Sequence, residues 1–434
     1  MYKTCKDLEN SLYVAPNEIR ACCKRFFFEG KMRGDAKLLN ITKNKTPTVE
    51  DLRKARQKVF DEIQLNKNED CKQCVFLKEV KDKPKFTSNI SYLSIEHHSV
   101  CNLRCTYCSE IYWGGKRSKY NVVEFISYLS ENNSFKDCDQ VVWGGGEPTL
   151  DKSFEQILEA IHKRANPKIY HRVFTNSVRY SEAITKFLKL GLIKIVTSVD
   201  AGTAETFLKT RGRKKFLNVF ENLRKYSEID PTKITVKYIF MEENCSEEEL
   251  DLFVENCIKN KLSNCNFQLS LNFKKSLLEF EILKSITYLF FKLSHNGFKK
   301  IFLDDHITMR FNSLTKEELK KIKNYLIKKN AEKILLNPYK IKNLVIYGAG
   351  TIATDIIKKT NFFKQMQIKN YDIVDSDKKK IGKLFFDKKI QPPSFLEKDD
   401  RFIFIATALG YDEVFKKIIN IKGNSEKIVN GLIL

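Results

Sequence analysis

The eight residues Cys101-Asn102-Leu103-Arg104-Cys105-Thr106-Tyr107-Cys108 constrain this chain more than any others. They place three of its 12 cysteines in one short loop, directly behind an apolar, strand-like run at 90–95. Three thiols that close together point to a shared partner. Thiolates are the ligands of iron–sulfur clusters, which normally take four of them. A loop that offers three leaves one iron open to something else. A zinc knuckle or unrelated buried cysteines are the plainer alternatives.

A second motif follows after one helix-sized segment. Gln140-Val141-Val142-Trp143-Gly144-Gly145-Gly146-Glu147-Pro148 is an apolar strand running into three glycines and Glu-Pro. Glycines at a strand end let backbone approach a ligand closely. CxxxCxxC after one strand and GGGEP after the next resemble the cluster loop and the GGEP motif of the radical S-adenosylmethionine (SAM) superfamily. The resemblance implies that Cys101, Cys105 and Cys108 hold a four-iron four-sulfur cluster whose open iron chelates the amino and carboxylate groups of SAM. It implies reductive cleavage of SAM to a 5′-deoxyadenosyl radical, which abstracts a hydrogen atom from a substrate. It also implies that Gly144, Gly145, Gly146, Glu147 and Pro148 hold the amino end of SAM, and that Tyr107 shields it.

From Ser88 to about Phe311, short apolar runs alternate with helix-length segments, the pattern of parallel βα units. Strands are expected at 90–96, 140–144, 170–175, 193–199, 234–241 and 265–272. Six such units resemble the open, TIM-like (β/α)6 barrel of the radical SAM core. In βα barrels the functional residues sit at the carboxyl ends of strands. That rule selects Glu147, the Thr175-Asn176-Ser177 strand end, Ser198, Asp200, Lys237 and Tyr238. Ser198 and Asp200, with Lys209-Thr210-Arg211-Gly212 downstream, resemble the family's Ser-x-Asp-Gly strand end and Arg-Gly. The likeness implies SAM contacts for Asn176, Ser198 and Asp200 and a carboxylate clamp at Arg211, whose guanidinium can grip with two hydrogen bonds. A turn cap, a helix cap and a solvated arginine are the ordinary alternatives. His97 and His98 end the first strand and read equally well as packed histidines.

Residues 1–86 form a cysteine-rich preface, with Cys5, the pair Cys22-Cys23, and Cys71-Lys72-Gln73-Cys74. CxxC with more thiols upstream reads as a metal site, and zinc and iron–sulfur both satisfy the spacing. A helix over 48–65 opens on the capping box Thr48-Val49-Glu50-Asp51. The preface resembles a SPASM or twitch auxiliary domain, which implies a second four-iron four-sulfur cluster on Cys5, one of Cys22 and Cys23, Cys71 and Cys74. Cys138, Cys245, Cys257 and Cys265 share no spacing and read as small core residues.

Beyond the barrel (87–311), a helical connector at 312–340 carries a helix over 314–336 that opens on Thr315-Lys316-Glu317-Glu318. Asp304-Asp305-His306 is one short loop, which seldom makes a metal site. The last domain, 341–434, runs a strand into Gly348-Ala349-Gly350 and then a helix over 354–359. A second strand ends at Asp375, about 25 residues on, where the dinucleotide fingerprint places its ribose-binding acid. A strand at 402–407 follows. This half Rossmann fold resembles the small nucleotide-binding-like domain at the end of some sugar-modifying methyltransferases. A nucleotide or sugar nucleotide at Gly348, Gly350 and Asp375 is what that implies; glycines serving only a tight turn are the alternative.

At 434 residues, 42% hydrophobic and 30% charged, the chain has material for several cores. No apolar run reaches the ~20 residues of a membrane span, and the N-terminus lacks a signal-peptide core. A cytoplasmic setting with reduced thiols is expected. The net charge of +23 is spread along the whole chain, which fits solvated faces better than an RNA-binding module. The α/β fold class and the motifs lead to a radical SAM enzyme acting on a sugar, sugar nucleotide or related small molecule. Its electrons would come from a reductase or a flavodoxin or ferredoxin donor. A peptide-modifying SPASM-type maturase, an RNA-modifying radical SAM enzyme and a non-catalytic iron–sulfur electron carrier are the competing readings.

Overall fold

The preface does not stand apart from the barrel strands; it extends their sheet. Strand β1 (Ser11–Val14) pairs antiparallel with β2 (Glu18–Arg20), which pairs antiparallel with β3 (Lys37–Asn40). On its other side β1 runs parallel to β4 (Tyr92–Ile95), with Ser11 opposite Tyr92 and Tyr13 opposite Ser94. Between them lies helix α1 (Val49–Gln64), opened by the expected capping box: Thr48 Oγ1 accepts the Asp51 amide and the Asp51 carboxylate accepts the Thr48 amide. Its inner stripe (Leu52, Ala55, Arg56, Val59, Phe60, Ile63) recurs every three to four residues, as an amphipathic helix requires. Arg56 is fully buried there. Its guanidinium donates to the carbonyls of Glu9, Ser11 and Thr87 and so ties the helix to both strand entries. Burial without a carboxylate pulls its pKa down to about 10, so it remains cationic at neutral pH.

The structure, a computed structural model, describes all residues except 29–30, 43–45, 109–114, 164, 166–168, 273, 275–278, 299, 305–306, 308–314, 329–341, 359–362, 364–367, 407–410, 424–427 and 430–434. Gly30, Asp305, His306, Leu314, Lys359, Thr407 and the connector beyond Lys328 lie outside the described residues. Two compact units result, one of Met1–Ser198 with Phe207–Thr235, the other of Val199–Thr206 with Val236–Leu434.

In the first unit β4 is followed by α2 (Val122–Glu131), β5 (Gln140–Trp143), α3 (Phe154–His162), β6 (Tyr170–Phe174), α4 (Glu182–Lys189) and β7 (Ile193–Ser198). All four strands are parallel and in register: Ser94 stands opposite Val142, Val142 opposite Arg172, and Arg172 opposite Lys194. Strand residues alternate sides. Leu93, Ile95, Val141, Trp143, His171 and Val173 are buried, and the last four of these face the helices: Trp143 meets Phe154, and His171 meets His162 and Phe187. Helices α5 (Ala204–Arg211) and α6 (Phe216–Ser227) follow.

The second unit holds most of β8 (Ile234–Phe240), then α7 (Glu247–Lys259), β9 (Asn266–Leu271), α8 (Phe280–His295) and β10 (Ile301–Leu303), which is parallel to β9. Helix α9 (Lys316–Lys328) comes next. The terminal sheet is built on β11 (Asn343–Tyr347), with α10 (Thr351–Lys358), β12 (Asn370–Val374), β13 (Lys388–Gln391), β14 (Phe402–Ile405) and α11 (Tyr411–Lys422). β11 runs parallel to β12 and β14, and its alternate residues pack into separate cores, Leu344 and Ile346 on one face, Val345 and Tyr347 on the other. A strand apolar on both sides is what a sheet covered on both faces needs. All six expected barrel strands form, each within two residues of its expected limits, so the fold class is the α/β partial barrel anticipated. No described helix is long and apolar enough to cross a membrane.

Candidate functional site

The thiol loop is clamped by backbone. Arg104 and Thr106 donate their amides to the carbonyls of Arg211 and Thr210, at the end of α5, and Cys108 N closes a turn onto Cys105 O. Cys105 is buried; Cys101 and Cys108 are half-buried. Burial pushes the Cys101 thiol up, and Glu147, Cys105 and Arg211 are its charged or ionisable neighbours. Asn176 Nδ2 lies 3.7 Å from Cys101 Sγ and 2.6 Å from Asn102 Oδ1. Arg211, also buried, donates to the Tyr107 hydroxyl, with its guanidinium carbon 5.6 Å from the ring centre. The structure thus gathers Cys101, Cys105, Tyr107, Glu147, Asn176 and Arg211 around one loop. Three thiols on a fixed loop fit a cubane cluster with one open iron.

The glycines meet protein backbone. A Cβ built on Gly146 would lie 2.2 Å from Val100 O, and one on Gly145, whose φ is +86°, 2.7 Å from His98 O. Gly146 N and Glu147 N donate to those same carbonyls of His98 and Val100. The Gly-rich strand end is pressed onto the segment that enters the thiol loop. Glu147 is buried, which pushes its pKa up, and it is held by four donors: the Thr149 amide and hydroxyl, the Thr175 hydroxyl, and the Asn176 amide at 2.6 Å. It staples the ends of β5 and β6. Pro148 starts a short 3-10 turn behind it.

Asp200 is wholly buried with φ +59°. Its carboxylate accepts the Ile239 amide at 2.8 Å, and its carbonyl accepts Asn244 Nδ2. Burial drives its pKa up to about 8. Between pH 3.8 and 8 the folded state therefore holds a proton that the unfolded chain has released, and stability falls as pH rises. Asp200→Asn removes that slope. Its advantage over wild type is expected to grow by about 1 kcal/mol per pH unit between pH 5 and 7.5, read from melting temperatures at both ends. A constant difference would reject the raised pKa. Ser198 is half-buried at the end of β7, and Tyr238 is buried with its hydroxyl on Asn244 O. Sequence reasoning missed Asn244 and Glu249. Glu249 accepts the amides of Gly202 and Thr203 and so fixes the loop after Asp200. The Ser246-x-x-Glu249 spacing signals a helix start, and Ser246 does cap α7, but it gives no hint of a reach across 47 residues.

His97, His98 and Asp151 place ligand atoms within 4.8 Å of one another. His97 Nε2 sits 2.5 Å from Asp151 Oδ2, while His98 Nδ1 accepts the Val100 amide. That bond leaves the proton on His98 Nε2, which then has no lone pair for a metal. Burial, reinforced by His97, lowers the His98 pKa to about 4. The group is a His–Asp pair beside a neutral histidine.

In the preface, Cys5, Cys22, Cys71 and Cys74 line one cavity. Cys23 is not among its lining residues; it is exposed, and Glu96 is the first of its charged neighbours. Burial raises Cys5 to about 11 and Cys71 further, and each is raised again by the other thiols. Four thiols on one cavity are a donor set that a zinc ion or an iron–sulfur cluster could take.

In the terminal sheet Gly348 has φ +114° and donates to Val374 O. Asp375 does not project freely. Burial is outweighed by the Asp377 and Ala349 amides and by Lys380 Nζ, which together hold its pKa down. The acid is bonded to the glycine loop itself.

A parallel βα barrel with a three-thiol loop and a Gly-rich strand end laid against it defines an iron–sulfur protein of the partial-barrel class. Residues 95–253 match the family described as the Radical SAM superfamily. Residues 95–253 thus carry a radical SAM domain, and that family uses a four-iron four-sulfur cluster and SAM. Among curated relatives, the GTP 3′,8-cyclase of Mannheimia succiniciproducens is 29% identical over 178 residues, 41% of this chain and 52% of the relative. That of Actinobacillus succinogenes is 31% identical over 166 residues, 38% of this chain and 48% of the relative. The chain spans about half the length of the curated relatives it matches. Among solved structures, Streptococcus suis SuiB bound to S-adenosylmethionine aligns at TM-score 0.43 and 16% identity, covering 62% of this chain and 59% of that one.

Proposed function

We propose that this protein is a radical SAM enzyme that modifies a nucleotide, sugar nucleotide or related small molecule. The observation that carries the reading is the thiol loop of Cys101, Cys105 and Cys108, clamped to Thr210 and Arg211 and contacted by Asn176, with GGGEP packed on its entry. When bound, the cluster supplies an electron to SAM and so generates the 5′-deoxyadenosyl radical used on the substrate. The chain's own part is to orient and to shield. Tyr107 and Arg211 close one side of the loop, Asn176 holds Asn102 and approaches the Cys101 thiol, and Glu147 locks the strand ends that carry Asn176. Cys5, Cys22, Cys71 and Cys74 would hold the auxiliary cluster. A nucleotide-linked substrate is supported by relatives named for GTP and by the Gly348–Gly350 loop of the last domain. The electron donor would be a flavodoxin, a ferredoxin or a reductase.

Anaerobic reconstitution of the full chain, iron and sulfide counts, and reduction in the presence of SAM test the reading. About eight irons per chain and formation of 5′-deoxyadenosine are expected. About four irons with zinc alongside would make the preface structural. Two clusters without SAM cleavage would replace the enzyme by an electron carrier.

A further inference from the structure

The helices cover one face of β4–β7; the other face carries polar, basic and aromatic side chains arranged in tiers. Cross-strand partners in a parallel sheet share a face. One tier is therefore Ser94, Val142, Arg172 and Lys194, and the tier above it, toward the carboxyl ends, is Glu96, Gly144, Phe174 and Val196. Two features of these tiers bear on a ligand. Arg172 and Lys194 stand directly opposite each other on neighbouring strands, and the Lys194 ammonium lies over the Tyr170 ring, 5.0 Å from its centre. Ser94, 1% exposed, keeps a buried hydroxyl with no hydrogen-bond partner among the described residues. Among the described residues no acid is paired with Arg172, and its partner is the Phe174 ring, with the guanidinium carbon 5.2 Å from the ring centre. Phe174 itself is a large apolar side chain left 37% exposed at a strand's carboxyl end. The acid of the upper tier, Glu96, accepts the Tyr13 hydroxyl at 2.5 Å.

We infer that Arg172, with Lys194 and Ser94 in its tier, forms a substrate subsite for an anionic group, a phosphate or a carboxylate, while Phe174 packs against the adjoining part of the substrate. A guanidinium offers the planar fork that phosphate and carboxylate oxygens accept. The stacked ring holds it toward the strand ends, where Asn176 follows Phe174 by two residues. An anion bound there faces the Arg172 fork and gives the Ser94 hydroxyl an acceptor. The inference deepens the proposed function, since it names the chemistry by which the enzyme would hold its substrate.

The test is calorimetric titration of the reconstituted full chain with inorganic pyrophosphate, UDP-glucose, GTP and citrate, at low and raised salt. Wild type is expected to bind at least one of the four. Arg172→Gln should weaken that binding by about tenfold or more, and Arg172→Lys should restore part of it. Lys186→Gln, on the helical side where Lys186 pairs with Glu155 and Glu159, should stay within about twofold of wild type. Binding of the phosphorylated probes alone assigns a phosphate subsite, and binding of citrate alone a carboxylate subsite. Iron content and melting temperature of Arg172→Gln report its folding. Should it misfold, Arg172→Lys carries the test, because loss of the fork with the charge retained must still weaken binding. No binding of any probe by wild type, or wild-type binding by Arg172→Gln, overturns the inference. SAM cleavage is scored separately: its failure removes the radical reading and leaves an Arg172-dependent anion site standing, and the converse result does the opposite.

Discussion

Alanine at Cys101, Cys105 and Cys108 together is expected to remove about four irons per chain and to abolish 5′-deoxyadenosine formation, with the remaining four irons retained. The two thiol sets are independent in the fold. The loop thiols are fixed by amide bonds from Arg104 and Thr106 to the end of α5, while Cys5, Cys22, Cys71 and Cys74 line a separate cavity with Leu8, Ala21, Ala36 and Leu77. Cys22→Ala should therefore remove the other four irons and leave the loop cluster in place. Cys23→Ala should remove none, because Cys23 is exposed and is not among the residues lining that cavity. Iron and sulfide counts with electron paramagnetic resonance of the reduced protein separate these outcomes. Equal losses from Cys22→Ala and Cys23→Ala would show that the two thiols exchange as ligands. Loss of all eight irons from the loop variant would show that the clusters assemble together, against the separation of the two sets.

The barrel was legible because its information is local. Apolar runs bounded by helix-length segments mark the strands, and β4 to β9 form where the runs lie. The capping boxes at Thr48 and Thr315 are equally local, and the reciprocal bonds of both form. The site was legible through spacing, since CxxxCxxC and GGGEP place reactive side chains without any knowledge of distant contacts. What escaped is long-range. Nothing in Ser11-Leu12-Tyr13-Val14 says that it joins β4, about 80 residues away, in a parallel pair that extends the barrel sheet. The choice between Cys22 and Cys23 depends on which side of β2's end faces the cavity, a matter of packing rather than spacing. Asp375 matches the position of a ribose-binding acid, yet it folds back onto the Ala349 amide and Lys380, which only the tertiary structure reveals. Asp200 and Glu249 illustrate the same limit: each is a buried acid satisfied by backbone amides of a segment remote in sequence.

Gly146→Ala is expected to disable SAM binding while leaving the thiols in the sequence untouched. An added Cβ would stand 2.2 Å from Val100 O and 2.7 Å from Ser99 C, both backbone atoms, so no rotamer change relieves the clash. To make room, β5's end must lift from the 98–100 segment. That breaks the bonds from Gly146 N and Glu147 N to His98 O and Val100 O, and with them the seating of Glu147 against Thr175 and Asn176. Overpacking against backbone with lost hydrogen bonds costs roughly 3 kcal/mol, or about 5–10 °C in melting temperature for a unit of this size. SAM affinity, measured by equilibrium dialysis on the reconstituted protein, should fall by more than about tenfold. Gly144→Ala is the graded comparison: its nearest neighbour, at 3.0 Å, is the terminal carboxylate oxygen of Glu96, a side chain that can move. It should cost less than half as much. Gly350→Ala has nothing within 4 Å and should leave SAM binding and stability unchanged. If Gly146→Ala binds SAM as wild type does, the glycines serve the turn alone and the close packing of strand end on thiol loop is not what prepares the site.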